Sequence, residues 1–513
     1  MKITRFFLAT ALIMGGIKVQ AQLSLGGHFY GEDAFRYTQS KVTGSARMQG
    51  MGGSYAALGA DASNAFSNPA GLGFYNRSEL SITPIFNSLN TSSQYIGSTS
   101  KSSTSNANIG QLGLILSNSG NGSRKKRSAF AITYSKQVNL LSSFNYVGQN
   151  NKSSMGNYFT EKVNSLNVSA KDLDKEFDAN TATADYPEGM YYWSYMIDPV
   201  AGNDTKYLQA EKSLPVNQIG NNTSTGNQSQ WNMAYGANFD DKVYLGFSLG
   251  FVRMNYENLN NHNEQFPKGT VFNGFDYNEN LTSRGGGMNV GLGAIVKVAD
   301  NINLGVNVTS PTWLTINEVY NSNIRITTTF FKPDYTEVRT RENEFSYKIT
   351  TPLKASGGVT FFLPSKKGFI TADAEYVGYS NMGIKYANYD NNGYVTGYST
   401  AAAQNTKIKN TYKDAVNIKV GGEYRIENIR LRLGAKYMPD PYTKKIDNLD
   451  RSQMVFTGGV GYRSAKFFVD VAGVLNQFTS AYTPYELANT ANYASANITN
   501  NHKSFVISVG TFF

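Results

Sequence analysis

The 513-residue sequence contains no cysteine, only three histidines and three tryptophans, and 16% charged residues. Without cysteine there is no disulfide scaffold, no thiolate metal site and no cysteine nucleophile. His28, His262 and His502 stand far apart, and no motif sets any of them beside a serine or an acid. No spacing suggests a metal site, and no glycine-rich turn opens a helix in the manner of a phosphate cradle. Beyond residue 21 no apolar run reaches the length of about 18 residues that a spanning helix needs. These absences predict no cofactor, no metal and no enzyme. The pentapeptide Gly246-Phe247-Ser248-Leu249-Gly250 matches a lipase pattern, but it sits in an alternating stretch without the strand-turn-helix elbow that such a serine needs. The net charge of +10 is spread over loops, and the run Arg124 to Arg127 reads as a solvated turn, so no nucleic-acid partner is expected.

What is abundant is glycine, tyrosine and phenylalanine, at 49, 34 and 30 residues. Residues 1–21 read as a secretory leader. Lys2 and Arg5 form its basic start, Phe6 to Ile17 its apolar run, and Val19-Gln20-Ala21 its small-residue cleavage site. The stretch Gly44 to Phe74 is built from small residues around an Asn-Pro-Ala-Gly turn and predicts a compact plug lying inside something larger. Beyond it the dominant signal is strict alternation, the period of a strand with two unlike faces. In Val243 to Phe251, apolar Val243, Leu245, Phe247, Leu249 and Phe251 alternate with Tyr244, Gly246, Ser248 and Gly250. Roughly fourteen such segments recur, an even number as bacterial outer-membrane barrels require. Tight connections such as Asp240 to Lys242, Ala299 to Asn301 and Glu427 to Asn428 contrast with the long, Asn-rich Tyr146 to Ser229. That asymmetry predicts a transmembrane β-barrel with periplasmic turns and outer loops, in contact with outer-membrane lipid. Phe505, Ile507, Val509, Thr511 and Phe513 alternate to an aromatic carboxyl terminus, and this last strand must pair with the first to close the barrel. The expected organisation is a leader at 1–21, a hatch at 22–77, and a barrel at 78–513 with a large outer loop at 147–228.

The segments GMGGSYAALGADASNAFSNPAGL, TPLKASGGVTFF from Thr351, GFITADAEYVGYSNM from Gly368 and the closing aromatic strand resemble the FadL/TodX (OmpP1) family of outer-membrane transport proteins. The resemblance runs from about Gly44 to Phe513 and is weakest between Gly148 and Gln228. It implies a monomeric barrel with an N-terminal hatch, in the outer membrane of a Gram-negative-type bacterium, taking up long-chain fatty acids or other hydrophobic small molecules. It also implies that Asn68, Pro69, Ala70 and Gly71 belong to the hatch, and that ligand leaves sideways near a kinked third strand within Ala129 to Tyr146. Serving a secretion system as a surface barrel, or taking up haem or aromatic hydrocarbons, are the alternatives.

Two further groups are candidate sites. Lys419 and Arg425 on one strand, and Arg430, Arg432 and Lys436 on the next, are candidate lumen cations, with Glu423, Asp373, Glu375 and Asp470 on the same side. They form either a ladder guiding a carboxylate or mutual ion pairs holding the hatch. In the long loop, Tyr158 to Phe177 has a helical pattern, and Tyr191, Tyr192 and Trp193 are candidate aromatics for capturing a ligand, or the core of a folded loop subdomain.

Overall fold

The computed structural model describes residues 30–39, 41–119, 125–267, 271–327, 337–445 and 448–513. The leader at 1–21, His28 and Arg124 lie outside them. Fourteen antiparallel strands close into one barrel. In chain order they are β1 (Glu79–Tyr95), β2 (Ser98–Ser119), β3 (Lys125–Asn139, continued by Ser142–Asn150), β4 (Val216–Phe239), β5 (Val243–Gln265), β6 (Gly274–Ala299) and β7 (Ile302–Thr309, continued by Trp313–Thr327). There follow β8 (Asn343–Thr350 and Lys354–Phe362), β9 (Gly368–Val377 and Gly383–Tyr389), β10 (Ala415–Ile426), β11 (Ile429–Met438), β12 (Gln453–Arg463), β13 (Phe467–Tyr482) and β14 (Ala496–Phe512). β1 pairs with β14 from Glu79↔Phe512 to Gln94↔Asn497. Closure leaves the sheet no outer edge, the condition for a strand protein in hydrocarbon.

Alternation sorts side chains between lipid and lumen. On β5, Val243, Leu245, Phe247 and Phe251 are exposed outward, while Tyr244 and Ser248 are buried inward. Equivalent outward residues run round the barrel, among them Leu292, Val306, Ile370, Leu433, Phe456 and Phe505. At about 3.3 Å per residue and a tilt near 40°, Val243 to Phe251 covers roughly 20 Å of membrane normal, close to the usual apolar band. Above this belt the outward face of β5 turns polar at Arg253, Asn255 and Glu257, so the wall rises well beyond the lipid. Among the described residues no helix is long and apolar enough to cross a membrane, and the strands do the crossing. The Gly246 to Gly250 pentapeptide lies inside β5, paired on both sides.

The long connection after β3 is shorter than expected, because strand persists to Asn150 and resumes at Val216. Between them, helices Met155–Leu166, Ala170–Lys175 and Pro187–Trp193 and a hairpin of Ile197–Val200 with Asn203–Gln209 form a small domain. Its core of Phe159, Val163, Leu173, Met190 and Tyr207 packs on Phe275, Ile324 and Val338 from the upper parts of the wall and its loops.

Candidate functional site

The lumen is filled by the N-terminal segment. Helices Tyr30–Arg36 and Ala46–Gln49 and 3-10 turns Ala62–Ala65 and Pro69–Phe74 are joined by buried loops. The last three of these each carry a side-chain cap, which is why so few residues hold a shape. Ser45 Oγ accepts from Met48 N at 3.1 Å and donates to Asp61 Oδ2 at 2.8 Å. Asp61 and Asn64 form a capping box, and Asn68 Oδ1 accepts from Ala70 N at 3.1 Å with Pro69 in the first turn. Asn68 also clasps the wall. Its Nδ2 donates to Ala56 O at 2.6 Å and to Val306 O at 3.3 Å, with Ala294 O at 3.5 Å.

The wall makes room by offering glycine at the facing positions. A Cβ on Gly293 would meet Asn68 Oδ1 at 1.9 Å, one on Gly246 the Pro69 carbonyl carbon at 2.1 Å, and one on Gly305 Ala56 O at 2.0 Å. Within the segment, Gly52 combines a φ of 67° with an approach in which a Cβ would lie 2.8 Å from Ala435 O. Pro69, Ala70 and Gly71 are buried in this contact.

The five candidate cations do not form one open ladder. Arg432 is buried and bonds Glu423 at 2.8 Å and Asp470 at 2.6 Å. Glu423 also takes Arg425 at 2.9 Å and Arg47 of the N-terminal segment at 3.5 Å, so it ties plug to wall. Asp373 Oδ2 accepts from Tyr55 N at 2.5 Å and Ala56 N at 2.9 Å, a second tie. Lys419 bonds Glu375 at 2.6 Å, and Lys436 is buried in the same region. Arg430 departs from the expectation. It sits beside the short turn at Glu427 and donates to the carbonyls of Glu427 and Ile429, because the strand begins there and the guanidinium folds back onto the turn.

Above the N-terminal segment lies a chamber of about 710 Å³, with Phe35, Leu140, Phe144, Tyr256 and Tyr482 among its walls and Asn222, Asn258 and Asn260 between them. Its side is the irregular part of the barrel. β2 and β3 pair only from Gln111↔Ser135 to Ser119↔Arg127. Higher up, Ser98 to Ile109 pairs with β1 alone, while β3 keeps its partner β4. β3 shifts register between Lys136 and Val138 and is interrupted at Leu140 and Leu141, within the span expected for a kink. Its upper half turns behind the β1–β2 hairpin: Thr91 Oγ1 donates to Ser143 O at 2.7 Å, and Ser93 Oγ to Asn145 O.

The break stands at the upper edge of the apolar belt, next to exposed Ile109 and above the Tyr134–Trp231 aromatic pair. A pocket of about 60 Å³ at the break contains Ile85, Asn108, Lys136 and Gln137, and shares Lys41, Asn139 and His502 with the chamber. Lys41 Nζ donates to Asn139 O at 2.9 Å. Burial, and secondarily the neighbouring Lys136 ammonium, bring Lys41 down to about 8. A basic group thus marks the joint between chamber and break.

The loop aromatics pack within the loop domain. Tyr191 is buried and stacks on Phe159 at 4.1 Å, Trp193 stacks on Phe177 at 4.2 Å, and Tyr192 meets Tyr207 edge-on at 6.3 Å. Tyr191 belongs to the core of the loop domain, with Tyr192 and Trp193 packed against it, and a domain this small needs large side chains. His262 is buried in the wall. Its Nδ1 meets Tyr146 Oη at 2.6 Å and its Nε2 meets Glu264 Oε1 at 3.0 Å. Glu264 Oε1 also accepts from Met155 N at 2.8 Å, joining the loop domain's first helix to the barrel. His502 lies on inward-opening β14 at the chamber.

A closed barrel with a lipid-facing apolar belt and a lumen occupied by its own N-terminal segment defines a class of transmembrane protein, built in outer membranes of Gram-negative type. Two solved structures share this fold across nearly the whole chain. One is a FadL homologue from Pseudomonas aeruginosa, with TM-score 0.55, 11% identity and coverage of 92% of this chain and 99% of that one. The other is the toluene transporter TodX from Pseudomonas putida, with TM-score 0.53, 13% identity and coverage of 93% and 99%. At such identities the likeness is one of fold. No protein-family model matches the sequence, and no curated protein does.

Proposed function

We propose that this chain is an outer-membrane channel for the uptake of hydrophobic small molecules, such as long-chain fatty acids or aromatic hydrocarbons. One observation carries the reading: the chamber leads, through Lys41 and Asn139, to the place where β2 and β3 part at the upper edge of the apolar belt. A hydrophobic solute has little to gain from a water-filled pore and much from an exit into lipid, at about 25 cal/mol per Å² of apolar surface removed from water. The N-terminal segment acts as a hatch closing the straight route through the lumen, and the side break is the exit. Lys41 and Lys136 at that exit favour a carboxylate head group, and the aromatic chamber accepts a ring or an acyl chain. The fold shared with a FadL homologue and a toluene transporter supports a hydrophobic solute. The test is mass spectrometry of small molecules extracted from protein purified in a maltoside detergent, followed by thermal unfolding with added oleate or toluene. A retained acyl or aromatic compound, or a saturable stabilisation by either, supports the channel. No retained compound and no stabilisation by either would sink it.

A further inference from the structure

Three asparagines that wall the small pocket at the break share one arrangement: Asn108 on β2, Asn139 on β3 and Asn476 on β13. In each, one end of the carboxamide is bonded within the protein, which fixes its orientation. The other end is buried and has no hydrogen-bond partner among the described residues. Asn108 Nδ2 donates to Asn106 Oδ1 at 3.3 Å, which leaves Asn108 Oδ1 unmet. Asn106 is held in turn, since its Oδ1 also accepts from Asn87 Nδ2 at 3.0 Å, and Asn87 Oδ1 accepts from Ser504 Oγ at 2.7 Å. Asn476 Nδ2 donates to Gln453 Oε1 at 3.1 Å, and its Oδ1 is unmet. Asn139 Oδ1 accepts from Leu141 N at 3.3 Å, and its Nδ2 is unmet. Two of the three flank the break: β2 pairs with β3 only from Gln111 onward, and β3 is interrupted directly after Asn139. The pocket therefore sets two acceptors and one donor beside Lys41 and Lys136.

These atoms discriminate between head groups. A hydrocarbon answers none of them. A carboxylate accepts from the lysines and from Asn139 Nδ2 but brings no hydrogen to either asparagine oxygen. An ammonium brings hydrogens and is repelled by the two lysines. A hydroxyl brings a hydrogen without a charge. We infer that the pocket selects acids that carry a hydroxyl near the carboxylate, the class of 3-hydroxy acids with an apolar chain. The carboxylate lies against Lys41, Lys136 and Asn139 Nδ2, the hydroxyl donates to Asn108 or Asn476 Oδ1, and the chain extends into the chamber. The two polar groups must be neighbours because the pocket holds only about 60 Å³. A plain acid leaves both oxygens buried and unpaired, and a site built to bond a hydroxyl penalises the solute that lacks one. This inference rests on the channel reading and names the solute that the channel takes best.

The test is calorimetric titration of the full chain in maltoside detergent with decanoate, 3-hydroxydecanoate and toluene. The native chain is expected to bind 3-hydroxydecanoate about fivefold more tightly than decanoate, the worth of about one net hydrogen bond. The double variant Asn108→Leu with Asn476→Leu is expected to lose that preference while still binding decanoate. Asn323→Leu, on the outward face of β7 that also carries exposed Trp313, is expected to keep it. Should the double variant not fold, the two single variants decide, each with a reduced preference. Equal binding of the two acids by the native chain, or a preference intact in these variants, overturns the hydroxyl site and leaves the channel reading standing. So does binding of toluene alone. Binding of none of the three overturns both.

Discussion

Asn68→Ala removes the clasp between the N-terminal segment and the wall. The carboxamide is fully buried and makes three contacts from Nδ2 and one to Oδ1. An amide has two hydrogens, so at most two full bonds are lost from Nδ2, at about 1 kcal/mol each, with about 1 kcal/mol more for the cap of the Pro69 turn. The sum is about 3 kcal/mol, which multiplies the population of an unseated segment about 100-fold at tenfold per 1.4 kcal/mol. Amide hydrogen exchange of residues 44–75 reads that population directly, since exchange tracks local opening.

A double-mutant cycle sharpens the result. Gly293→Ala alone drives a methyl into Asn68 Oδ1, whereas in the Asn68→Ala background that methyl enters the vacated space, so the two losses should be strongly non-additive. Exchange in 44–75 changed by less than threefold in Asn68→Ala, or additive effects in the cycle, would refute the clasp.

Glu423→Ala leaves Arg47 and Arg432 facing one another without their shared carboxylate, and should cost about 3–5 kcal/mol, measured by chemical unfolding of the purified barrel. Phe159→Ala empties the centre of the loop domain at about 3–5 kcal/mol, so limited proteolysis should cut within 155–209 while the barrel remains intact. Glu176 in the same domain is raised to about 8 by burial and by the charges of Glu188 and Asp185. Its folded value exceeds the unfolded one, so its contribution is intact below the ordinary carboxylate range near 4.5, declines as pH rises, and is gone above about 8. Proteolysis of the loop domain should therefore accelerate between pH 5 and pH 8.5 in the native chain, and Glu176→Gln should flatten that slope.

The membrane-level wall was legible because lipid on one side and a plug on the other impose opposite demands on alternate residues. Val243 to Phe251 shows both demands at once, greasy residues outward, and inward Gly246 where Pro69 lies against the backbone. Above the belt both sides are wet, and Ser98 to Gly110 and Val216 to Gln228 carry serine, threonine and asparagine on both faces, so no apolar period marks those strands. Seven-residue Tyr30–Arg36 is too short to show a helical period; it is held by aromatic packing, with Tyr30 on Tyr347 at 4.7 Å and Phe35 stacked on Tyr412 at 5.1 Å. The Asn-Pro-Ala-Gly turn was visible as local capping chemistry, but its carbonyl partners on Val306 and Ala294 lie more than 200 residues away and leave no mark near the turn. The aromatics in the loop left two readings open because composition alone does not separate a small core from an exposed greasy patch.

The most direct measurement is uptake of radiolabelled oleate and toluene into cells in which this protein is the one outer-membrane barrel supplied for that uptake, comparing the native chain with Gln137→Trp at the break and Ser103→Trp on the exposed hairpin. A side exit requires that Gln137→Trp abolish uptake of both solutes while Ser103→Trp does not, with the two variants equally abundant in the outer membrane. Undiminished uptake through Gln137→Trp would contradict the side exit and return the route to the lumen.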